Sequence, residues 1–312
     1  HAGHDDYHAI DDTGFFQLFA KDVQHVADLT AIAHRIAELA LTPGVCAQDG
    51  FLTSHVIESL RLPERELIKD YLGDPADMIE TPTAAQRMTF GSRRRRIPEM
   101  FDLDYPAMLG PVQNQDSYAQ GVAAQRPFYF DHVAELTDRA FDEYAQLSGR
   151  RYARALGYRL EDAEYVIAGQ GSVVSNAEAV ADYLRETRGL KVGVLNLVMF
   201  RPFPADLVTD MLRGKKAVAI LERVDQPLAV DPPMLREVRA AMSKAMENAR
   251  AEGARPHADV ADVPADEVPE FYAGGFGFGS RDLQPGDLIA AVDNMLEGGG
   301  GRRHFYLGID FV

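Results

Sequence analysis

Between residues 22 and 41 apolar side chains recur at helical spacing, with Val26, Leu29, Ala33, Ile36 and Ala40 on one face. Thr42-Pro43-Gly44 stops that pattern, since proline cannot continue a helix. Val45 to Gln48 then reads as a short strand with Asp49-Gly50 as the turn at its C-terminal end, and a second short helix is expected from Thr53 to Leu60. This helix–strand–helix order predicts part of a parallel α/β sheet. Periodicity lapses over 61–130, where Pro63, Pro75, Pro82, Pro98, Pro106, Pro111 and Pro127 accompany the basic run Arg93 to Arg96. The stretch reads as a long, mostly irregular connection, of a kind found where a chain binds something or links domains. A helix from about Asp131 to Leu147 leads out of it.

The second half is patterned more strongly. Tyr165 to Ala168, Lys191 to Leu197 and Ala217 to Leu221 are apolar at nearly every position, as parallel strands covered on both faces should be. Val173, Ala177, Val180, Ala181 and Leu184 make one helix face after the first strand, and Ser175 with Glu178 has capping-box spacing, with the helix starting there or a turn earlier. Residues 205–213 form a helix, and Asp231-Pro232-Pro233 opens a longer one running to about residue 250. Three parallel strands with crossover helices predict a small doubly wound domain with right-handed crossovers. The acidic segment 251–270 reads as a surface loop, and the closing stretch RRHFYLGIDFV as strand-like. Two units follow, 1–130 and 131–312, the second opening with a linker helix.

Composition narrows the function classes. Of 312 residues 46% are hydrophobic and 26% charged, an ordinary globular balance. With 32 Lys+Arg against 48 Asp+Glu the net charge is −16, unsuited to binding nucleic-acid backbones or anionic membranes. No apolar run reaches the ~20 residues of a membrane span, and the start, HAGHDDYHAIDDTGF, is not a signal peptide. One cysteine, Cys46, can neither form an internal disulfide nor hold an iron–sulfur cluster, which fits a reducing cytoplasm. A first residue that is His rather than Met reads as a processed chain or a fragment.

Candidate chemistry is sparse. Gly169-Gln170-Gly171 follows a strand, but Val174 stands where a dinucleotide fingerprint needs its third glycine, so it reads as a tight strand–helix turn. Gly274 to Gly279 lacks the Lys of a phosphate loop and reads as backbone passing close to a neighbouring domain. His1, His4 and His8 read as solvated rather than metal-binding, and Arg93 to Arg96 as a solvated charge run. Ser54, His55 and Asp49 make a triad only on paper, without a nucleophile elbow. In the second unit Gln170, Ser172, Arg201, Glu222 and Arg223 sit at strand C-terminal ends; Glu222 and Arg223 are either a surface pair or, with Arg201, contacts that orient a neighbouring domain.

An ordered set of strings goes further. Asp12-Thr13-Gly14-Phe15, Val23-Gln24 and Asp49-Gly50-Phe51-Leu52-Thr53-Ser54-His55 resemble the pyrimidine-binding domain of the pyruvate:ferredoxin (flavodoxin) oxidoreductase family. Gln113-Asn114, Arg126-Pro127-Phe128-Tyr129, Ser148 to Tyr152, Gly169 to Ser172, Phe200-Arg201-Pro202-Phe203, Gly274 to Asp282 and His304-Phe305 continue it in collinear order. Leu52 and Val56 depart from it, standing where the family has Arg and Glu.

The resemblance implies an internal fragment: the later part of a thiamine-diphosphate pyrimidine-binding domain followed by a transketolase-C-terminal-like domain. It implies part of an enzyme that decarboxylates a 2-oxoacid, pyruvate first of all, on thiamine diphosphate with Mg²⁺. Electrons then pass through [4Fe–4S] clusters to ferredoxin or flavodoxin, and acyl-CoA forms from coenzyme A. The implied partners are the remaining domains or subunits, in a homodimeric cytoplasmic enzyme. By the same resemblance the thiamine-activating Glu lies upstream of His1, and Gln48-Asp49-Gly50 lacks the downstream Asn of a Mg²⁺ motif, so the fragment alone is expected to be inactive. Asp12, Thr13, Gly14, Asp49 and His55 are the candidate cofactor-binding residues, expected together at a cleft edge at strand C-terminal ends. The alternatives are a non-catalytic assembly module of a related 2-oxoacid oxidoreductase, or a nucleotide binder using the Gly169 turn.

Overall fold

A computed structural model describes residues 3–99 and 113–309. In chain order a short helix α1 (Asp5–His8) precedes β1 (Phe16–Phe19), α2 (Val23–Ala40) and β2 (Gly44–Ala47). Next come α3 (Arg65–Leu72), β3 (Met78–Glu80), α4 (Ala84–Phe90), β4 (Arg93–Arg95), α5 (Gln115–Phe128) and α6 (Val133–Ser148). The second half runs β5 (Ala155–Tyr158), β6 (Tyr165–Gly169), α7 (Val173–Arg188), β7 (Val192–Leu197), β8 (Met199–Arg201), α8 (Ala205–Leu212), β9 (Ala217–Glu222) and α9 (Pro233–Arg250), and closes with β10 (Glu270–Gly275), α10 (Pro285–Met295) and β11 (His304–Tyr306). No helix among the described residues is long and apolar enough to cross a membrane.

Two sheets organise these elements. The smaller, in the order β2-β1-β8, pairs β1 parallel to β2 and antiparallel to β8, so a strand from the second half completes it. The larger has the order β11-β10-β9-β6-β7-β5, parallel except for β5. Every residue of β7 and β9 is buried, which is why those strands carry no polar alternation. On one face α8 and α9 pack through Val208, Leu212, Met234 and Val238; on the other α7 and α10 pack through Ala177, Leu184, Leu288 and Val292. A third core joins the small sheet to α2 and α6 through Phe16, Leu18, Ile32, Ile36, Phe141 and Tyr144.

The doubly wound core is therefore as expected, but larger. Several local expectations are corrected. No helix spans Thr53 to Leu60: Ile57 is fully exposed, so a helix there would have no face to bury, and the segment instead bonds to the start of α2. The stretch 61–130 is not mostly irregular; its described residues hold three helices and the β3–β4 hairpin. Arg93 to Arg96 is not a solvated run. Arg94 is buried, and its guanidinium donates to the carbonyls of Glu38 (2.7 Å) and Arg96 (2.6 Å) and to Gln86 Oε1 (2.8 Å), so it closes the C-terminal end of α2. Helix α7 begins at Val173, before the Ser175 capping-box position, and Glu178 pairs with Lys21 at 2.9 Å instead.

Candidate functional site

The C-terminal ends of five parallel strands meet at one junction between the sheets. Asp49 follows β2, Gly171 and Ser172 follow β6, Arg223 follows β9 and Gly277 follows β10, while Phe19 ends β1 beside Gly171. Asp49 lies at its centre, fully buried. Its Oδ1 accepts from His4 Nε2 at 2.6 Å and Arg223 Nη1 at 2.9 Å, and its Oδ2 accepts from the Ser172 N–H at 2.7 Å. Arg223 uses its other donors on Gly277 O (2.9 Å), Gly50 O (3.1 Å) and Ser280 Oγ (2.9 Å), and its own carbonyl accepts from the His4 N–H (2.8 Å). Burial alone would raise the Asp49 carboxyl, but the His4 hydrogen bond and charge, the Ser172 N–H and the Arg223 fork together hold it at about 2. Because the ionised carboxylate only accepts, His4 Nε2 is the donor.

Local chemistry explains why these residues converge. At Gly171 φ is +80°, and a Cβ there would stand 2.3 Å from Asp49 Oδ2, so only glycine lets the turn carry Ser172 N–H to the carboxylate. The expected tight turn is thus present, and it also seats a residue from the other sheet. Glu222, one residue before Arg223, is not part of a surface pair. It is buried and accepts from Met234 N (2.7 Å) and Leu235 N (3.1 Å) at the start of α9. Burial pushes its carboxyl up to about 7 against the pull of those two N–H groups. Arg223, through Asp49 and Gly50, and Arg201, through Asp11 O, are the two arginines of this set that bond to the first unit; Glu222 does not.

A cavity of about 610 Å³ opens beside the junction, with His4, Tyr7, Cys46, Gln48, Phe51 and Ser280 among its walls. Asp49 stands behind that wall, screened by His4 and Arg223. Tyr7 is buried with its hydroxyl unpartnered, and burial pushes the Cys46 thiol to about 11, which keeps it protonated and unreactive at neutral pH. Phe51 at the mouth adopts φ +65° and stacks on exposed His55 at 4.5 Å. Ser54 Oγ lies 2.8 Å from His55 Nδ1, but Asp49 meets Ser54 only through its backbone carbonyl, which accepts the Ser54 N–H at 3.2 Å, and its carboxylate is taken by His4, Arg223 and Ser172, so no triad exists.

The five nominated residues do not share one site. Asp49 is at the junction and His55 near the cavity mouth. Asp12, Thr13 and Gly14 precede β1, so they lie at the opposite end of that strand, ~13 Å away. The expectation of C-terminal strand ends fails for them because the Gly14 turn (φ +88°) feeds the strand rather than leaving it. Asp12 is exposed beside a second cavity of about 430 Å³, which Gly14, Gln125 and Arg201 also line. Thr13 Oγ1 only closes its own turn on Ile10 O at 2.7 Å. Arg201 binds Asp11 O (3.0 Å) and Glu237 (3.0 Å) there. Sequence reasoning missed His4, dismissed as solvated, and left Arg223 open. His4 and His8 are both buried, His8 against Asp11 at 3.1 Å; His1 lies outside the described residues. The available signal was Glu222-Arg223 directly after a run of apolar strand residues, where a charge must be exposed or paired.

Comparison with known proteins adds an independent line. Residues 1–138 match the family described as pyruvate flavodoxin/ferredoxin oxidoreductase, thiamine diP-bdg, and residues 163–255 match pyruvate:ferredoxin oxidoreductase core domain II. The chain is 29% identical to the pyruvate synthase subunit PorA of Thermotoga maritima over 96% of this chain and 66% of that protein. It is 29% identical to the pyruvate-flavodoxin oxidoreductase of Klebsiella pneumoniae and 28% identical to the pyruvate:ferredoxin oxidoreductase of Moorella thermoacetica, in each case over 94% of this chain and 22% of that protein.

Proposed function

The chain belongs to the pyruvate:ferredoxin and pyruvate:flavodoxin oxidoreductase family, and from that premise we propose that it forms part of a thiamine diphosphate-dependent enzyme that oxidises pyruvate to an acyl-CoA and passes the electrons to ferredoxin or flavodoxin. The observation that carries this is the collinearity of two family matches along one chain, the first of them to a thiamine diphosphate-binding family. The two-unit division near residue 130 stays a proposal: the larger sheet lies wholly after it, while α6 and β8 pack on the first unit and Tyr7 and Phe19 join a core of the second.

The residues present do not fit a complete thiamine diphosphate site. Among the described residues no group of three or more His, Cys, Asp or Glu is placed to hold a metal ion. Asp6 is the one carboxylate among the described walls of the cavity, and Asp49 behind that wall is saturated by His4, Arg223 and Ser172. The Mg²⁺, diphosphate and cluster chemistry of the whole enzyme is therefore assigned to protein beyond these residues, and this chain supplies a cavity wall and the junction that fixes it. In this reading Asp49 is a positioning residue and His55 a rim residue; Asp12 and Gly14 belong to the second cavity, and Thr13 closes the turn between them.

The test is methyl viologen reduction with pyruvate and coenzyme A, by the purified chain alone and with the rest of the enzyme supplied. Turnover is expected only in the second case. Turnover by the chain alone, or an enzyme fully active without it, would refute the assignment.

A further inference from the structure

Two loops leave strand C-terminal ends at the junction: residues 50–64 after β2 and residues 223–232 after β9. Arg223 ties their roots together through Gly50 O and Asp49 Oδ1. Both loops carry apolar side chains in solvent. Ile57, Leu228 and Val230 are the three most exposed large apolar side chains among the described residues, each at 97% or more, and Leu62 and Phe51 follow on the first loop at 74% and 60%. Single exposed apolar residues are ordinary, but a set on two adjoining loops marks an interaction surface.

The first loop is held in place. Glu58 Oε2 accepts from Val23 N at 3.1 Å, and the Gln24 amide engages both backbone groups of Arg61, accepting from its N–H at 2.8 Å and donating to its carbonyl at 3.1 Å. A backbone fixed in this way lowers the ordering cost of docking.

We propose that these loops form one docking face for protein, and that its occupant is the remainder of the oxidoreductase. This rests on the functional reading above. The matched region makes up 66% of one relative and 22% of two others, so about four-fifths of each longer protein lies outside the match and packs somewhere. The face adjoins the 610 Å³ cavity through Phe51, so an occupant seated there roofs that cavity. Glu58, Arg61, Glu64, Asp225 and Asp231 supply the polar rim usual around an apolar contact.

The test substitutes Ile57→Asp and Leu228→Asp, singly and together, with Met88→Asp as the control. Met88 is 79% exposed on α4, which docks at the other end of α2. Affinity for the remaining portion of the enzyme, supplied as separate polypeptide, is read by calorimetry, and the oligomeric state of the chain alone by sedimentation. The face variants are expected to weaken binding at least about tenfold, with Met88→Asp neutral and all melting temperatures unchanged. Absence of binding by the unmodified chain, or unchanged affinity in the double variant, would overturn the proposal. So would self-association that Ile57→Asp abolishes, which assigns the face to a second copy. A complex weakened by the variants but unable to reduce viologen keeps the docking face and refutes the functional reading instead.

Discussion

Replacing Asp49 by alanine tests the junction most directly. The substitution removes one acceptor group from three donors: His4 Nε2, Arg223 Nη1 and Ser172 N. Arg223, 4% exposed, keeps its bonds to Gly277, Gly50 and Ser280 but loses the one opposite charge in contact with it among the described residues. Stranding a buried charge costs about 3–5 kcal/mol. At about 2.1 cal/mol/K of unfolding entropy per residue, a chain of this length loses about 5–8 °C of melting temperature. Protonating Asp49 in place is milder. A carboxyl moved from 3.8 to about 2 contributes about 2 kcal/mol, present above pH 4 and lost as pH falls towards 2, because the hydrogen-bonding frame survives. Urea unfolding at pH 7, followed by circular dichroism, measures the substitution. Since the junction joins the two sheets, Asp49→Ala is also expected to split one transition into two. The paired replacement Asp49→Leu with Arg223→Met removes both charges and is expected to recover most of the loss. A loss below about 1 kcal/mol for Asp49→Ala, or a paired variant as unstable as the single one, would refute the reasoning.

Gly171→Ala is expected to cost about 2–4 kcal/mol, because its Cβ meets Asp49 Oδ2; Gly189→Ala, in the left-handed region at φ +65° with open space around it, should cost only about 1 kcal/mol of backbone strain, and equal losses in urea would contradict the steric account. Arg94→Ala leaves the carbonyls of Glu38 and Arg96 without their donor and is expected to cost about 2–4 kcal/mol, seen as faster limited proteolysis within residues 73–99. Glu222 gives a pH limb of opposite sign to Asp49. The unfolded carboxyl loses its proton near 4.5 and the folded one near 7, so stability falls by about 3 kcal/mol as pH rises between those values and is level above; Glu222→Gln should flatten that limb, and an unaltered slope would refute the assignment.

What could be read from the sequence follows from how local each signal is. The strands β6, β7 and β9 announce themselves because burial on both faces leaves unbroken apolar runs. The last two residues of β10, Gly274-Gly275, read as part of a glycine loop because close neighbours, not side chains, fill the space: a Cβ on Gly274 would meet Leu221 and Phe305. The strand β8 is three residues long and pairs across most of the chain. Arg94 reads as solvated until the carbonyls at the end of α2 are placed beside it. Asp49 could be singled out as a polar residue ending a strand, but its partners lie 45 and 174 residues away, and no spacing rule reaches that far.

The pairing of β1 with β8 has a consequence for synthesis. Gln17 and its partner Arg201 are 184 residues apart, so at 5–20 residues per second a ribosome needs about 10–40 s to supply β1 with its second neighbour. Through that interval the nascent strand Phe16–Phe19 has β2 on one side and an open row of peptide groups on the other. Any piece of this chain that stops short of Met199 keeps that edge permanently, so dividing the protein between its two units yields a sticky amino-terminal half rather than a smaller folded one.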